Sequence, residues 1–266
     1  MPFINYAYVN GKFVMEENAT VSVFDRGFLY GDGCFETMRV YDGKIFLLEQ
    51  HLARLTETLK VLQIPVEPPM RSLFRELVSR NEVRSGVERL AVSRGQEQPT
   101  IVLTAQSRKF SDKPVTLRAI VSSVCVHTQL AQLKTANRLP YILAKQQAEA
   151  AGAEEALLLN EAGRVAELSA SNIFVVAEGK LFTPPVKDGV LPGVTRAVVI
   201  ELAKHLKMPV KQKSLMPEVL DTADEVFATN SVIEIAPVAP WSRQSEITTR
   251  LQAAYRELVV RMSGQG

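Results

Sequence analysis

Residues 134–150 read "KTANRLPYILAKQQAEA", and the chain changes character across them. Upstream, strand-like runs surround two helical patterns. Downstream, the helix predicted over "LPYILAKQQAEAAG" (139–152) gives way to closely spaced strand-like runs, with Gly152 as its C-cap. Lys134 stands just before the helical spacing and Lys145 sits inside it. Most lysines are solvated charges, so a working lysine must be argued from what surrounds it.

Upstream, "YAYVNGKFV" (6–14) alternates around an Asn10-Gly11 turn and predicts a hairpin. "TVSVFD" (20–25) reads as a strand, and "CFETMRVYDGKIFLL" (34–48) as a second hairpin turning at Asp42-Gly43. Leu48, Leu52, Leu55, Leu59 and Leu62 recur at helical spacing, and Ile64-Pro65 ends that helix. A further helix covers "MRSLFRELVSRNEV" (70–83), followed by strands in "ERLAVSRG", "TIVLTAQ" and "VTLRAIVSSVCV". Downstream, "EEALLLNEAGRVAELSASNIFVVAEGKLFTPP" (154–185) reads as three strand-like runs with turns at "NEAG" and "AEGK". "LPGVTRAVVIELAKHLKM" (191–208) predicts a helix, "PEVLDTADEVFATNSVIEIAPV" (217–238) a short helix, a strand and a turn. "ITTRLQAAYRELVVRM" (247–262) is an amphipathic closing helix. The mixed order predicts two α+β domains, residues 1–120 and 121–266, joined near 110–130.

The 266 residues are 46% hydrophobic and 23% charged with a formal net charge of +2, which points to neither nucleic acid nor a membrane surface. Two cysteines make no disulfide framework, and no leader or spanning run appears, so a cytoplasmic protein is expected. The G-x-G-x-x-G, Walker and G-x-S-x-G patterns are absent. The three histidines have no ligand-spaced partners, so no metal site is expected. His51, beside the leucine stripe, reads as a packing histidine rather than a base.

What remains is a lysine, an acid and several anion donors. Lys134 lies where "VHTQLAQ" meets a helix. Glu167 interrupts "RVAELSASNIFVV" in step with Val165, which is either a partnered buried carboxylate or a strand-edge acid facing water. "LPGVTR" sets backbone N–H groups and the Thr195 hydroxyl at a helix start, suited to a phosphate or simply a capped helix. Asn230 and Ser231 follow a strand, and Arg54 flanks the leucine stripe as a phosphate cation or a solvated arginine. Together they match a ligand with an aldehyde, a cationic ring nitrogen and a phosphate, which is pyridoxal 5'-phosphate.

In this order, the segments "YVNGKFV", "DRGFLYGDGCFETMRVYDGKIFLLEQHLARL", "KTANRLPYILAKQQA", "GRVAELSASNIFVV", "LPGVTR" and "DEVFATNSVIEIAPV" resemble the class IV aminotransferases, the fold-type IV pyridoxal-phosphate enzymes. That family includes branched-chain and D-amino-acid aminotransferases and aminodeoxychorismate lyases. The resemblance implies a smaller N-terminal α/β sandwich, a larger C-terminal pseudo-barrel domain and a homodimer with the site near its interface. By position it implies Lys134 as the Schiff-base lysine, Glu167 facing the pyridine nitrogen, and Arg54, Val194, Thr195 and Ser231 as phosphate contacts. Lys145 matches a second, non-catalytic lysine. Substrate contacts fall on Thr37 and Arg39 of "GCFETMRV", Arg94 of "SRG" and Arg138, which replaces a tyrosine of the branched-chain enzymes. "GDGCFETMRV", "NRL" and the short chain favour aminodeoxychorismate lyase, a folate-pathway enzyme making p-aminobenzoate and pyruvate. "LAKQQAEAAGAEEALL" and "LPGVTR" favour an aminotransferase of D- or branched-chain amino acids using a 2-keto acid.

Overall fold

The computed structural model describes residues 5–111, 116–243 and 245–264. The chain forms two compact units. The first comprises Met1–Phe110, Lys134–Arg138 and Val259–Gly266, and the second Ser111–Leu133 and Leu139–Leu258. A boundary at 120 would cut a strand that begins at Leu117, so the division falls ten residues earlier. The Lys134–Arg138 segment also returns to the first unit, which linear sequence cannot anticipate.

The first unit contains β1 (Tyr6–Val9), β2 (Lys12–Met15), α1 (Arg26–Tyr30), β3 (Gly33–Tyr41), β4 (Lys44–Ile45), α2 (Leu48–Leu62), α3 (Arg71–Arg80), β5 (Gly86–Ser93) and β6 (Thr100–Ser107). Its sheet runs β2-β1-β6-β5-β3-β4. Both predicted hairpins form, and Asp42 (φ 46°) and Gly43 (φ 76°) take the left-handed conformations their tight turn requires. Met38, Val40, Leu90, Val92 and Leu103 on one sheet face pack against Leu52, Leu55 and Leu59 of α2 and Phe74 and Leu77 of α3.

"TVSVFD" is not a strand. No ladder receives it among the described residues, and Val21, Val23 and Phe24 are exposed instead of lining a core. The Asp25 carboxylate accepts from Gly27 N at 2.7 Å and starts α1 there.

The second unit contains β7 (Leu117–Val126), α4 (Thr128–Ala131), α5 (Leu139–Ala150), β8 (Glu155–Asn160), β9 (Val165–Leu168), β10 (Asn172–Ala177), β11 (Lys180–Thr183), α6 (Val194–His205), β12 (Val210–Gln212), β13 (Glu225–Asn230), β14 (Glu234–Ala239) and α7 (Glu246–Gly264), whose end belongs to the first unit. The eight strands run β12-β11-β10-β13-β14-β7-β8-β9, and the sheet curls so that β9 also meets β10. Ala144 and Ala148 of α5 pack with Ala156, Leu158 and Ala166. Leu157, Val165, Ile173, Val226 and Val238 form a second cluster.

The run "RVAELSASNIFVV" is two strands, not one. Between β9 and β10 the Glu155 carboxylate accepts hydrogen bonds from Ser169 Oγ and Ala170 N, which turns the chain at Ser169–Ser171. A polar partner two strands' length upstream overrides the local β-propensity.

Candidate active site

In the first unit, Lys134 is carried by a short bridge to β3. Phe35 N donates to Lys134 O at 3.0 Å, Ala136 N donates to Gly33 O at 2.8 Å, and Thr135 pairs with Cys34. The Lys134 Nζ thereby sits 4.7 Å from the centre of the Phe35 ring. Alternation along β3 sends Phe35, Thr37 and Arg39 to this face and Glu36, Met38 and Val40 into the core.

Register then adds a residue that sequence reading missed. Thr37 pairs with Arg89 of β5. The Arg89 guanidinium lies 3.9 Å from the same Phe35 ring, and its Nη1 reaches Thr37 Oγ1 at 3.4 Å. Packing around Arg89 draws its pKa down, and the neighbouring Arg138 charge adds to the effect. Arg39 rests on the rings of Phe110 and Tyr41, 3.0 and 4.8 Å from their centres. Alternation in "VERLAVSR" puts Arg89 opposite buried Glu88 and Leu90, but only strand pairing brings it to Thr37.

Arg54 and Arg94 are held differently. Arg54 Nε and Nη2 donate to Glu36 Oε1 and Oε2 at 2.8 and 2.6 Å, and His51 Nδ1 lies 2.7 Å from Glu36 Oε2. His51 is a buried partner of a carboxylate, consistent with a packing histidine. Arg94 Nε donates to Asp32 Oδ2 at 2.8 Å, and its Nη groups donate to the carbonyls of Leu62 (2.7 Å) and Gln63 (2.9 Å). These contacts engage the donors of Arg94 in joining the α1–β3 turn to the end of α2.

In the second unit, Glu167 on β9 is 4% exposed, so the water-facing alternative does not hold. Its Oε2 accepts from Asn172 Nδ2 and Leu191 N, each at 3.1 Å, and its Oε1 lies 3.3 Å from Tyr141 Oη. All four residues of β9 are buried, so its two faces are both covered and alternation could not place the acid. Gly193 caps α6 without a side-chain hydrogen bond, and buried Val194 and Thr195 open the helix. Helix-start N–H groups lack intrahelical acceptors and, with the Thr195 hydroxyl, suit a phosphate. Ser231 stands in the β13–β14 turn, where Asn230 Oδ1 accepts from Val232 N and Ile233 N. Lys145 is tied elsewhere, donating to the Glu154 carbonyl, with its Nζ 4.0 Å from Glu155. Among the described residues no cluster of three or more His, Cys, Asp or Glu could hold a metal, and no helix is long and apolar enough to cross a membrane.

The family model for amino-transferase class IV matches residues 33–241. The chain belongs to the class IV aminotransferases. It is 39% identical to a "Putative branched-chain-amino-acid aminotransferase" of Methanocaldococcus jannaschii, over 94% of this chain and 95% of that one. It is 34% identical to an aminodeoxychorismate lyase of Bacillus subtilis, over 96% and 95%. Among solved structures, a branched-chain amino acid aminotransferase of T.th. with pyridoxamine 5'-phosphate superposes with a TM-score of 0.88 at 28% identity, covering 97% of this chain and 95% of that one. The fold is that of the fold-type IV enzymes, and the family cofactor is pyridoxal 5'-phosphate. Each unit carries groups of the kind that cofactor needs: in the first an amine over an aromatic ring, in the second a buried carboxylate held by N–H donors and a helix start beside a side-chain-free glycine.

Proposed function

We propose that this class IV enzyme is an aminotransferase, moving an amino group between an amino acid and a 2-keto acid, with at least one substrate bearing a second carboxylate. The observation that carries the substrate reading is the Phe35 ring shared by Lys134 Nζ and the Arg89 guanidinium, with the Arg138 charge close enough to act on Arg89. Fixed cations beside the reacting amine suit an acidic substrate. The balance of relatives supports transamination over the lyase reading that "GDGCFETMRV" favoured, since the more similar relative carries the aminotransferase name.

Pyridoxal phosphate supplies an electron sink for the carbanion at the substrate Cα. Lys134 would hold the cofactor aldehyde and, once freed by a substrate amine, would carry the proton at the substrate Cα. Glu167 keeps a proton on the ring nitrogen. Arg54, the N–H of Val194, Thr195 and Ser231 take the phosphate; Thr37, Arg39, Arg89 and Arg138 face the substrate, and Arg94 braces the turn that precedes β3.

A homodimer accompanies this reading. Phe24, Phe28 and Tyr30 are 63%, 73% and 64% exposed in one short segment of the first unit, an apolar patch that a second copy of the chain would cover.

The deciding experiment mixes cofactor-loaded protein with single amino acids and no keto acid. Transamination leaves the cofactor as its amine form with one equivalent of keto acid released. A protein that instead makes p-aminobenzoate and pyruvate from aminodeoxychorismate, with its cofactor returned unchanged, is the lyase; the 34% identical relative is what favours that second reading.

A further inference from the structure

We propose that Asn172 is a positioning residue that fixes Glu167 and the start of α6 as one piece, and that Gly193 lacks a side chain in order to admit it. This rests on the reading that Glu167 meets the cofactor ring nitrogen and that α6 begins at its phosphate.

The Asn172 amide has two N–H donors, and both are used on groups that also meet each other. One goes to Glu167 Oε2 at 3.1 Å and the other to Leu191 O at 3.0 Å. Leu191 N closes the ring by donating to the same Glu167 oxygen at 3.1 Å. Leu191 O additionally accepts from Gly193 N at 2.7 Å, and α6 starts at Val194. A carboxylate, a peptide and an amide are thus locked in one closed circuit, with the peptide three residues before the first residue of the helix. Asn172 is 4% exposed, so these bonds are not exchanged with water.

The Asn172 Oδ1 faces Gly193, where a Cβ would collide with it and lie 3.1 Å from Asn172 Cγ; the next residue that Cβ would meet is Arg196, whose Cβ lies at 3.2 Å. Gly193 has φ −65° and ψ 136°, a backbone that any residue adopts, so the glycine is explained by this close approach and not by conformation. The cofactor's ring nitrogen and its phosphate belong to one small molecule, so the span between them is bounded. The groups that meet them must keep a matching separation, and small misplacements are costly. The circuit through Asn172 sets it.

The test compares wild type, Asn172→Ala, Gly193→Ala and the double variant. Equilibrium dialysis gives the pyridoxal phosphate dissociation constant, absorbance against pH gives the titration of the bound cofactor, and melting of cofactor-free protein monitors the fold. Each single change should weaken cofactor binding about tenfold or more, as for hydrogen bonds to a charged group, and shift the titration. The double variant should be no weaker than Asn172→Ala, because removing Oδ1 leaves room for the new Cβ. Additive losses in the double variant, or Asn172→Ala with unchanged affinity and titration, overturn the proposal. If the alanine variants do not fold, Asn172→Asp decides it: equal in volume, it loses both donated bonds, and unchanged cofactor affinity would reject the role. Wild type that fails to bind pyridoxal phosphate would sink the underlying functional reading instead.

Discussion

Arg54 grips Glu36 with two parallel hydrogen bonds, Nε to Oε1 at 2.8 Å and Nη2 to Oε2 at 2.6 Å, joining α2 to the buried face of β3. Burial pushes the Glu36 carboxyl up, but the bonds from Arg54 and His51 overcome it and hold the pKa at about 2. A carboxyl with a lowered folded pKa stabilises the protein above its unfolded value of 4.5, and that stability is lost as pH falls from there toward 2. Glu36→Gln should therefore destabilise at pH 7 by roughly 3–5 kcal/mol, as when a buried pair is broken, and flatten the acid limb of stability. Denaturant melts at pH 7 and pH 3 check both; an equal loss at the two pH values would reject the linkage.

Glu88 behaves in the opposite sense. It is fully buried on β5 between Met38 and Ala105, neither carboxylate oxygen has a hydrogen-bond partner among the described residues, and burial raises its pKa to about 9. The folded state holds the proton, so the contribution of this group to stability is greatest below pH 4.5 and declines as pH rises toward 9, by at most about 1.4 kcal/mol per pH unit. Glu88→Gln should gain stability at pH 8 relative to wild type and lose that slope. Melting curves at pH 5 and pH 8 that shift equally would contradict the buried, neutral acid.

The two lysines of 134–150 should separate cleanly. Lys134→Ala should lower turnover by about a hundredfold or more, the range for losing a group that transfers the proton, and abolish the borohydride-fixed pyridoxyl adduct. Lys145→Ala loses only the ties to Glu154 and Glu155 and should retain the adduct and most activity. Peptide mapping of the reduced protein reads this directly, and an adduct on Lys145 would reassign the site.

Arg89→Ala should raise KM for a dicarboxylic substrate by roughly 10–100-fold, the worth of a hydrogen bond to a charged group, with less effect on a monocarboxylic one. Arg89 forms no ion pair among the described residues, so its melting temperature should barely move. Steady-state kinetics on the two substrate classes settle the matter, and equal losses on both would remove Arg89 from substrate selection.

Phe28→Asp places a charge in the exposed apolar segment. If a second copy covers it, sedimentation should show wild-type dimer and variant monomer at micromolar concentration. A wild-type monomer would refute the dimer outright.

The hairpins, the leucine stripe of α2 and the helix after "LPG" were legible because each rests on a local pattern: a two-residue turn, a helical repeat, a helix start. Lys134, Glu167 and Thr195 stand out in the sequence as residue types that one cofactor needs, in an order resembling a known family, and their proposed roles rest on that order. Other features depend on partners distant in sequence. "TVSVFD" alternates like a strand, yet no ladder receives it among the described residues, and only the fold reveals its side chains as surface. The break at Ser169–Ser171 is imposed by Glu155 on β8, and Arg89 reaches Thr37 through the β3–β5 register. Asn172 and Gly193 read as an ordinary strand residue and an ordinary helix cap until the Leu191 peptide closes their circuit with Glu167. Local pattern determined which elements form and which chemistry is available. Long-range pairing decided which side chains meet, because hydrogen bonds and steric exclusion act over ångströms in space and take no account of separation along the chain.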